Sequence, residues 1–205
     1  DFSLNAIADA KELDRRTLEA ILSFNRDELA EVNLLNYDLF RRNAEMAVER
    51  HRFPAELLAL NQMDGLPRDV PSMIAMMPSA KIVDYEDVLA RLSGVSVLVD
   101  QTIELLLEGV KRGVVPPKVP LRTVAAQVAG QVHTDPMAAP MLAKFKTFPS
   151  NIPAAAQTRL AESAKAIYND SVRTALNRLH KFLRDEYVPS CRESVGRSAL
   201  PNGRA

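Results

Sequence analysis

Residues 84–113 read DYEDVLARLSGVSVLVDQTIELLLEGVKRG, and this stretch decides the fold class. Its apolar side chains recur at every third or fourth position, which is the period of an α-helix with a buried face. Asp84 is expected to cap the first turn, because its carboxylate can accept hydrogen bonds from free backbone N–H groups. Gly113 and the following Pro116 are typical of a helix end. We therefore predict one continuous helix over 84–113.

The same periodicity extends toward the N-terminus. Residues 1–53 contain neither glycine nor proline and predict a pair of helices. Ser3 is expected to cap the first helix, and the second is expected to begin near Asp27. Pro54 should end that second helix, since proline clashes with the preceding turn.

Toward the C-terminus, the pattern predicts a short helix over 121–132 and a long helix over 154–188. The intervening segments are rich in proline, which favours turns over regular helix. Residues 1–205 are thus expected to form a single all-α region. Its architecture should be a bundle of long antiparallel helices with proline-rich connectors.

Residues 54–80 differ from the rest, because four prolines and Gly65 divide them into short pieces. We predict a connector of short helices there. Its four methionines suit either of two roles: filling irregular gaps in the core, or forming an adaptable wall that binds peptides or lipids. The methionines are Met63, Met73, Met76 and Met77.

The last segment, 189–205, has no helical periodicity and stops shortly after a Pro-Asn-Gly turn. Nothing in it is typical of a domain end. We therefore expect a truncated tail, and a chain that is a slice of a larger helical protein.

The charge balance argues against two classes of partner. Lysine plus arginine and aspartate plus glutamate both number 26, so the formal net charge is zero. Nucleic acids and anionic membranes are bound through an excess of positive charge, so neither partner is expected. No apolar run approaches the length of about 20 residues that a transmembrane helix needs. Cys191 is the only cysteine, which excludes an intrachain disulfide.

The residue types that carry catalysis are present but not arranged for it. None of His51, His133 and His180 has a histidine or cysteine three to five positions away, as a helical zinc site would need. Cys191 has no neighbouring histidine, and no Gly-x-Ser-x-Gly or phosphate-binding glycine motif occurs. Adjacent carboxylates such as Asp185 and Glu186 diverge on a helix and fit a solvated face. We predict no catalytic residue, metal ligand or cofactor site within this chain.

The polar cluster that most resembles a ligand-contacting segment is LNQMDG at 60–65. Asn61 and Gln62 lie between apolar elements, just before a glycine turn. Amide side chains both satisfy backbone groups in turns and hold peptide-like ligands. Asn61 and Gln62 are therefore candidates for substrate contact, with a structural turn as the alternative.

A set of short motifs, in a fixed order along nearly the whole chain, resembles a bacterial family catalogued as domain of unknown function 885. The motifs are NYDLF at 36–40, LNQ at 60–62, GLP at 65–67, YED at 85–87, LARL at 89–92, GVVPP at 113–117, FK at 145–146, FP at 148–149, IP at 152–153, FLRDEY at 182–187, SVG at 194–196 and LP at 200–201 with Gly203. Each motif is weak alone, but the ordered set is fairly specific.

The resemblance implies a function. Members of that family look like helical zinc metallopeptidases with a motif similar to His-Glu-x-x-Pro-Gly-His-His. That motif lies C-terminal to the matched region and does not occur in these 205 residues. Zinc is therefore implied for the parent protein, with the missing C-terminal catalytic part as the main partner of this chain and peptides as the substrate class. Many members carry signal peptides or lipoprotein anchors, which implies a location in the cell envelope; the residues themselves leave the cytoplasm open as an alternative.

Two functions remain open from the sequence. In the first, the chain is the N-terminal wall of the substrate cleft of a zinc-dependent peptidase, and is inactive alone. In the second, it is a non-catalytic helical module for binding or scaffolding. An exposed apolar patch, left where a missing part docks, would favour the first.

Overall fold

The computed structural model describes residues 1–201 and 203. Regular secondary structure within these residues is helical, and the only β-type pairing there is an isolated bridge between Pro117 and Arg192. The predicted all-α fold is confirmed. The sequence pattern predicts one region, whereas the structure groups the chain into two compact units, Asp1–Glu56 and Leu57–Ala205.

The first unit is a helical hairpin of α1 (Leu4–Leu22) and α2 (Glu31–Arg50). The hydroxyl of Ser3 accepts a 3.2 Å hydrogen bond from the backbone N–H of Ala6, so the predicted cap is present. The predicted start of α2 near Asp27 is wrong. Asn25 accepts from the N–H of Asp27, which places Asp27 in a short 3₁₀ turn (Arg26–Glu28) before α2.

Helix α2 has apolar residues on two opposite faces. Tyr37 and Ala44 are buried, and the Tyr37 hydroxyl donates to the carbonyl oxygen of Phe24. Val32, Leu35 and Leu39 lie on the other face, with exposed fractions of 80%, 68% and 52%. We call these three residues the α2 apolar row.

The second unit contains the remaining helices and several 3₁₀ turns. The α-helices are α3 (Leu66–Met76), α4 (Ile82–Ser93), α5 (Val95–Arg112), α6 (Val124–Ala129), α7 (Ala154–Ile167), α8 (Arg173–Phe182) and α9 (Val188–Ser190). The 3₁₀ segments are Val119–Leu121, Pro136–Ala138, Pro140–Lys146 and Arg197–Ala199, and one further turn, Ala55–Leu58, begins just before this unit.

The helix predicted over 84–113 is interrupted at Gly94, between α4 and α5. Ser93 turns its hydroxyl back to the carbonyl oxygen of Leu89 at 3.0 Å, and Gly94 has no side chain to favour helical geometry. Serine–glycine pairs are common sites of helix kinks for these reasons. At the far end the prediction is confirmed, because Gly113 adopts φ +69°, a left-handed conformation that suits glycine at a helix terminus.

The predicted cap at Asp84 is also misplaced by one turn. Helix α4 begins at Ile82, and the Asp84 carboxylate reaches back to accept from the N–H groups of Ala80 and Lys81 at 2.7 and 2.9 Å. The carboxylate therefore satisfies free N–H groups, as expected, but from inside the helix. An acid in the first turn also interacts favourably with the helix dipole.

The short helix predicted over 121–132 is a 3₁₀ turn followed by α6. Thr123 separates them, because its backbone (φ −100°, ψ −10°) departs from helical values. The long helix predicted over 154–188 is helical throughout. It consists of α7, α8 and α9, joined by two π-helical turns at Tyr168–Val172 and Leu183–Tyr187.

The π turns explain how this long helix keeps one buried face. Its buried residues mostly recur at exactly four positions, as in Leu160, Ala164, Tyr168, Val172 and Leu176. A four-residue step in an α-helix overshoots a full turn by about 40°, so the row would otherwise drift away from the core. The wider π turns absorb that drift.

The core of the second unit lies between α4–α5 and the long C-terminal helix. Tyr85, Val88, Leu92 and Val99 face the row described above, and all are nearly inaccessible to solvent. Tyr85 also packs on Phe145 and Phe148, with ring centroids 5.6 and 4.8 Å away. Each large apolar side chain buried in this way contributes about 1.5–3 kcal/mol.

Candidate functional site

The polar cluster singled out from the sequence forms a tight turn. The Asn61 side-chain oxygen accepts from the N–H groups of Met63 and Asp64 at 2.7 and 3.0 Å, while its amide nitrogen donates to the Asp64 carboxylate. All these bonds lie within the turn. The geometry places Asn61 in the structural role that the sequence left open, and leaves Gln62 on the exposed side of the turn.

Gly65 connects this turn to α3. Its φ of +113° is a conformation that residues with a side chain rarely adopt, and a Cβ there would lie 2.5 Å from Leu60 Cδ1. The Gly65 N–H donates to the Asp69 carboxylate at 3.0 Å, which ties the turn to the first turn of the helix. Helix α3 then carries Arg68 and Ser72, one turn apart and both exposed on the same face.

Helix α6 supplies the facing wall. Gln127 and Gln131 are also one turn apart, with Gln131 lying just after the helix ends. The side-chain amide of Gln127 donates a 3.1 Å hydrogen bond to the backbone oxygen of Gln62. This bond holds the turn against α6, although 65 positions separate the two residues.

The turn, α3 and α6 line a cavity of about 400 Å³ that is open to solvent. Its polar lining comes from three glutamines, an arginine and a serine, with Pro71 between them. We call this cavity the amide cleft. Its polar residues are Gln62, Arg68, Ser72, Gln127 and Gln131.

Gln131 is supported from the core side by Tyr168. The Tyr168 hydroxyl donates to the backbone oxygen of Gln131 and accepts from the backbone N–H of His133, both at 2.8 Å. Burial raises the pKa of this phenol, so it stays protonated and keeps donating at neutral pH. The Gln131 side-chain oxygen is buried, with no hydrogen-bond partner among residues 1–201 and 203.

Among residues 1–201 and 203, Arg68 is the only charged residue that lines the amide cleft. One guanidinium nitrogen donates to the backbone oxygen of Met63 at 3.1 Å, which orients the side chain across the turn. None of the ion pairs formed within the described part of the chain involves Arg68. The cleft therefore presents a positive charge that forms no ion pair with a carboxylate of those residues.

The methionines of this region were open to two interpretations, and three of the four are exposed. Met63 is 59% exposed, Met73 38% and Met76 80%, while Met77 packs against the core. Met76 continues the Arg68–Ser72 face of α3 by one more turn. Met77 fits the interpretation as core filler, whereas the other three side chains are exposed and do not line the amide cleft.

A second cavity, of about 280 Å³, lies between α3 and the 3₁₀ segment Pro140–Lys146. Its lining is apolar apart from Lys144. The Lys144 ammonium is already engaged, since it donates to the backbone oxygen of Met77 at 2.6 Å. This cavity therefore offers less polar chemistry than the amide cleft.

The histidines do not assemble a metal site in the described residues. His51 contacts the Asp14 carboxylate at 2.9 Å within the first unit. His133 and His180 lie elsewhere, in the second unit. No group of three or more His, Cys, Asp or Glu side chains in residues 1–201 and 203 could hold a metal ion. These residues therefore do not fit the zinc that the resemblance implies for the parent protein.

Cys191 and the paired carboxylates form local hydrogen bonds and ion pairs, and they do not assemble a reactive site. The Cys191 thiol is buried, donates to the backbone oxygen of Tyr187, and burial raises its pKa to about 11. Arg184 beside Asp185 lowers the pKa of that carboxyl, and Glu86 pairs with Arg159 on the surface. A thiol this basic is a poor nucleophile at neutral pH.

The family model for bacterial proteins of unknown function, DUF885, matches residues 1–205. The chain therefore belongs to this family, as the ordered motifs predicted. The family description assigns no activity.

A solved structure with the same fold is described as "The crystal structure of the putative lipoprotein from Colwellia psychrerythraea". The TM-score is 0.81 at 17% sequence identity, and the match covers 95% of this chain. The chain spans 36% of that protein's length. No curated protein matches the sequence. Among the described residues, no helix has the length and apolar character needed to cross a membrane.

Proposed function

We propose that the chain is the substrate-contacting helical wall of a zinc-dependent peptidase whose metal motif lies outside these residues. The chain belongs to the family, and the resemblance described from the sequence motifs implies zinc metallopeptidases, which supports the proposal. The related solved chain also extends well beyond the matched portion, so further elements accompany this fold there. Zinc chemistry would belong to the absent part, since the described residues offer no metal-ligand group.

The amide cleft is the observation that carries the proposal. A peptide group offers one N–H donor and one C=O acceptor, and a glutamine side chain can match both. Three glutamines line the cavity: Gln62, a candidate identified from the sequence, is exposed, Gln127 also bonds to the Gln62 backbone, and Gln131 can offer its amide N–H groups because its oxygen is buried. Asn61 would act indirectly, by shaping the turn that carries Gln62.

The α2 apolar row supports the same proposal from the first unit. Val32, Leu35 and Leu39 form a continuous exposed face on one helix. Such faces commonly mark surfaces that are covered in the complete protein. The missing catalytic part of the same protein is the partner that the proposal requires.

The test is an assay of the complete gene product. We expect bound zinc by elemental analysis and hydrolysis of peptides, whereas the 205-residue chain alone should hydrolyse none, with or without added zinc. In the complete protein, Gln62→Ala and Gln131→Ala should raise KM for peptides with little change in kcat, as loss of substrate binding predicts. Gln157→Ala is a matched control, because Gln157 bonds to a backbone oxygen outside the cleft.

A non-catalytic binding module is the second candidate. It is favoured by the fact that the lining of the amide cleft comes entirely from the second unit, so ligand binding there does not require another part. A complete gene product without zinc and without hydrolysis, but with peptide bound in the cleft, would support this candidate and contradict the first.

We also propose that the parent protein resides in the cell envelope. The support is the similarity to a protein described as a lipoprotein, together with the anchors common in the family. Cell fractionation with an antibody against this chain tests the proposal, which a purely cytosolic signal would overturn.

The neutral charge argues that nucleic acid is not a partner.

A further inference from the structure

We propose that the amide cleft recognises a carboxylate group of a peptide ligand, with Arg68 as its charged partner. The proposal rests on the peptidase proposal and deepens it by naming the group recognised, a peptide carboxylate from an acidic side chain or a C-terminus. It concerns binding alone, so it can be tested without zinc and without hydrolysis.

The electrostatics of the cleft favour an anion. Within the part of the chain that the structure describes, Arg68 is the only charged residue that lines it. The two nearest carboxylates in sequence are engaged elsewhere: Asp64 accepts from the Asn61 amide, and Asp69 accepts from the Gly65 N–H. Neither forms an ion pair with Arg68. Both acids keep their negative charge, but neither occupies the guanidinium group, so a ligand carboxylate can bind Arg68 without displacing them.

The guanidinium is oriented before any ligand arrives. Its bond to the Met63 backbone oxygen uses one of the five N–H donors that an arginine carries. The others remain for a carboxylate, which arginine binds through two parallel hydrogen bonds. Holding the side chain in place beforehand reduces the entropy lost on binding.

Neutral donors stand beside the cation. Ser72 lies one turn from Arg68 on α3, and the amides of Gln62 and Gln131 line the same cavity. Hydroxyl and amide groups can bind the second carboxylate oxygen or the adjoining peptide group. A cation with several neutral donors matches a carboxylate attached to a peptide better than a bare inorganic anion.

Two exposed methionines lie on the elements that line the cleft, although they are not part of its lining. Met76 extends the Arg68–Ser72 face of α3, and Met63 belongs to the turn that Arg68 contacts. Methionine adapts to apolar groups of different shape. A peptide with apolar residues beside its acidic group would therefore gain contacts that a small free acid lacks.

The experiment titrates the 205-residue chain with three blocked or free tripeptides, followed by NMR of the amide signals. The probes are acetyl-Ala-Glu-Ala-amide, its neutral counterpart acetyl-Ala-Gln-Ala-amide, and acetyl-Ala-Ala-Ala with a free C-terminal carboxylate. We expect a carboxylate probe to bind about tenfold tighter than the neutral peptide, the difference that one charge-assisted hydrogen bond provides. Signals from Ser72, Gln127 and Gln131 should shift.

Two arginine variants isolate the cause. Arg68→Gln should abolish the preference for the carboxylate, leaving affinities within about twofold of each other. Arg122→Gln should retain it, because Arg122 is likewise exposed and bonds to a backbone oxygen, but outside the cleft. Arg68→Lys keeps the charge and should retain part of the preference, which provides a second test if Arg68→Gln folds poorly.

The outcomes separate the alternatives. Tighter binding of the glutamate peptide identifies an acidic side chain as the ligand, and tighter binding of the free-acid peptide identifies a C-terminus. Equal binding of all three peptides, or a preference that survives Arg68→Gln, overturns the proposal. The titration does not measure hydrolysis. Its outcome therefore does not decide whether the complete protein is a peptidase, which the hydrolysis assay tests separately.

Discussion

The side-chain amide of Gln127 donates a 3.1 Å hydrogen bond to the backbone oxygen of Gln62, 65 positions earlier in the chain. This single bond joins the turn at 61–65 to α6, and so closes one end of the amide cleft. The shape of the candidate site therefore depends on a contact between two short segments that do not neighbour each other in sequence.

Gln127→Ala should loosen this turn. Loss of one exposed hydrogen bond is expected to lower the free energy of unfolding by about 0.5–1.5 kcal/mol, and to speed amide hydrogen exchange at Met63 and Asp64. Gln157→Ala removes a similar bond, to Ile152, and should leave exchange in the turn unchanged. Equal exchange at Met63 in both variants would contradict the role given to Gln127.

Two tyrosines offer a matched pair of variants. Tyr168→Phe should lower the free energy of unfolding by about 1–3 kcal/mol. It leaves the backbone oxygen of Gln131 and the backbone N–H of His133 without their hydrogen-bond partner. Tyr187→Phe should be neutral or stabilising, because the buried Tyr187 hydroxyl has no hydrogen-bond partner among the described residues. Urea unfolding measures both, and a larger loss in Tyr187→Phe would refute this assignment of the two hydroxyls.

Two glycines should respond oppositely to alanine. Gly94 has a negative φ of −78° with ψ −11°, a conformation that alanine also adopts, and a Cβ there meets nothing closer than 3.4 Å, so Gly94→Ala should stabilise by about 0.4–1 kcal/mol. Gly113 has φ +69°, so Gly113→Ala should destabilise by about 1–2 kcal/mol. Thermal unfolding of both variants checks the signs. A destabilised Gly94→Ala would mean that the interruption between α4 and α5 is needed for packing.

The Cys191 thiol should be unreactive in the folded chain. Its pKa of about 11 and its burial predict very slow reaction with Ellman's reagent at pH 8, and fast reaction in guanidinium chloride. Ser190→Cys, made together with Cys191→Ser, places a thiol at the exposed neighbouring position and should react quickly when folded. Comparable rates for the two folded proteins would show that Cys191 is accessible.

The same thiol predicts a loss of stability at alkaline pH. Its ordinary pKa is 9.0 and its folded pKa is about 11, so the unfolded chain releases the proton first. The stabilising contribution is complete below pH 9 and declines as the pH rises toward 11. Urea unfolding at several pH values should show this decline, and Cys191→Ser should reduce it.

The sequence was sufficient for the helical class, the family and much of the core. The rows of apolar residues in α5 and in the long C-terminal helix identify buried faces, because local periodicity is imposed by a single interface with the core. Where the pattern is local it also predicts details correctly, as with the Ser3 cap and the left-handed Gly113. The four-residue spacing around Tyr168 was a readable signal for the π turns, but a uniform helix was assumed.

Other features required the tertiary structure. The break at Gly94 and the start of α4 at Ile82 involve side-chain hydrogen bonds to the backbone. The sequence does not show which of the possible hydrogen bonds forms. Gln62 was identified as a candidate from its neighbours, whereas Arg68, Ser72, Gln127 and Gln131 were not. They form one site only where α3 and α6 approach each other. Packing between segments that are distant in sequence does not appear as a periodic pattern in the sequence of either helix.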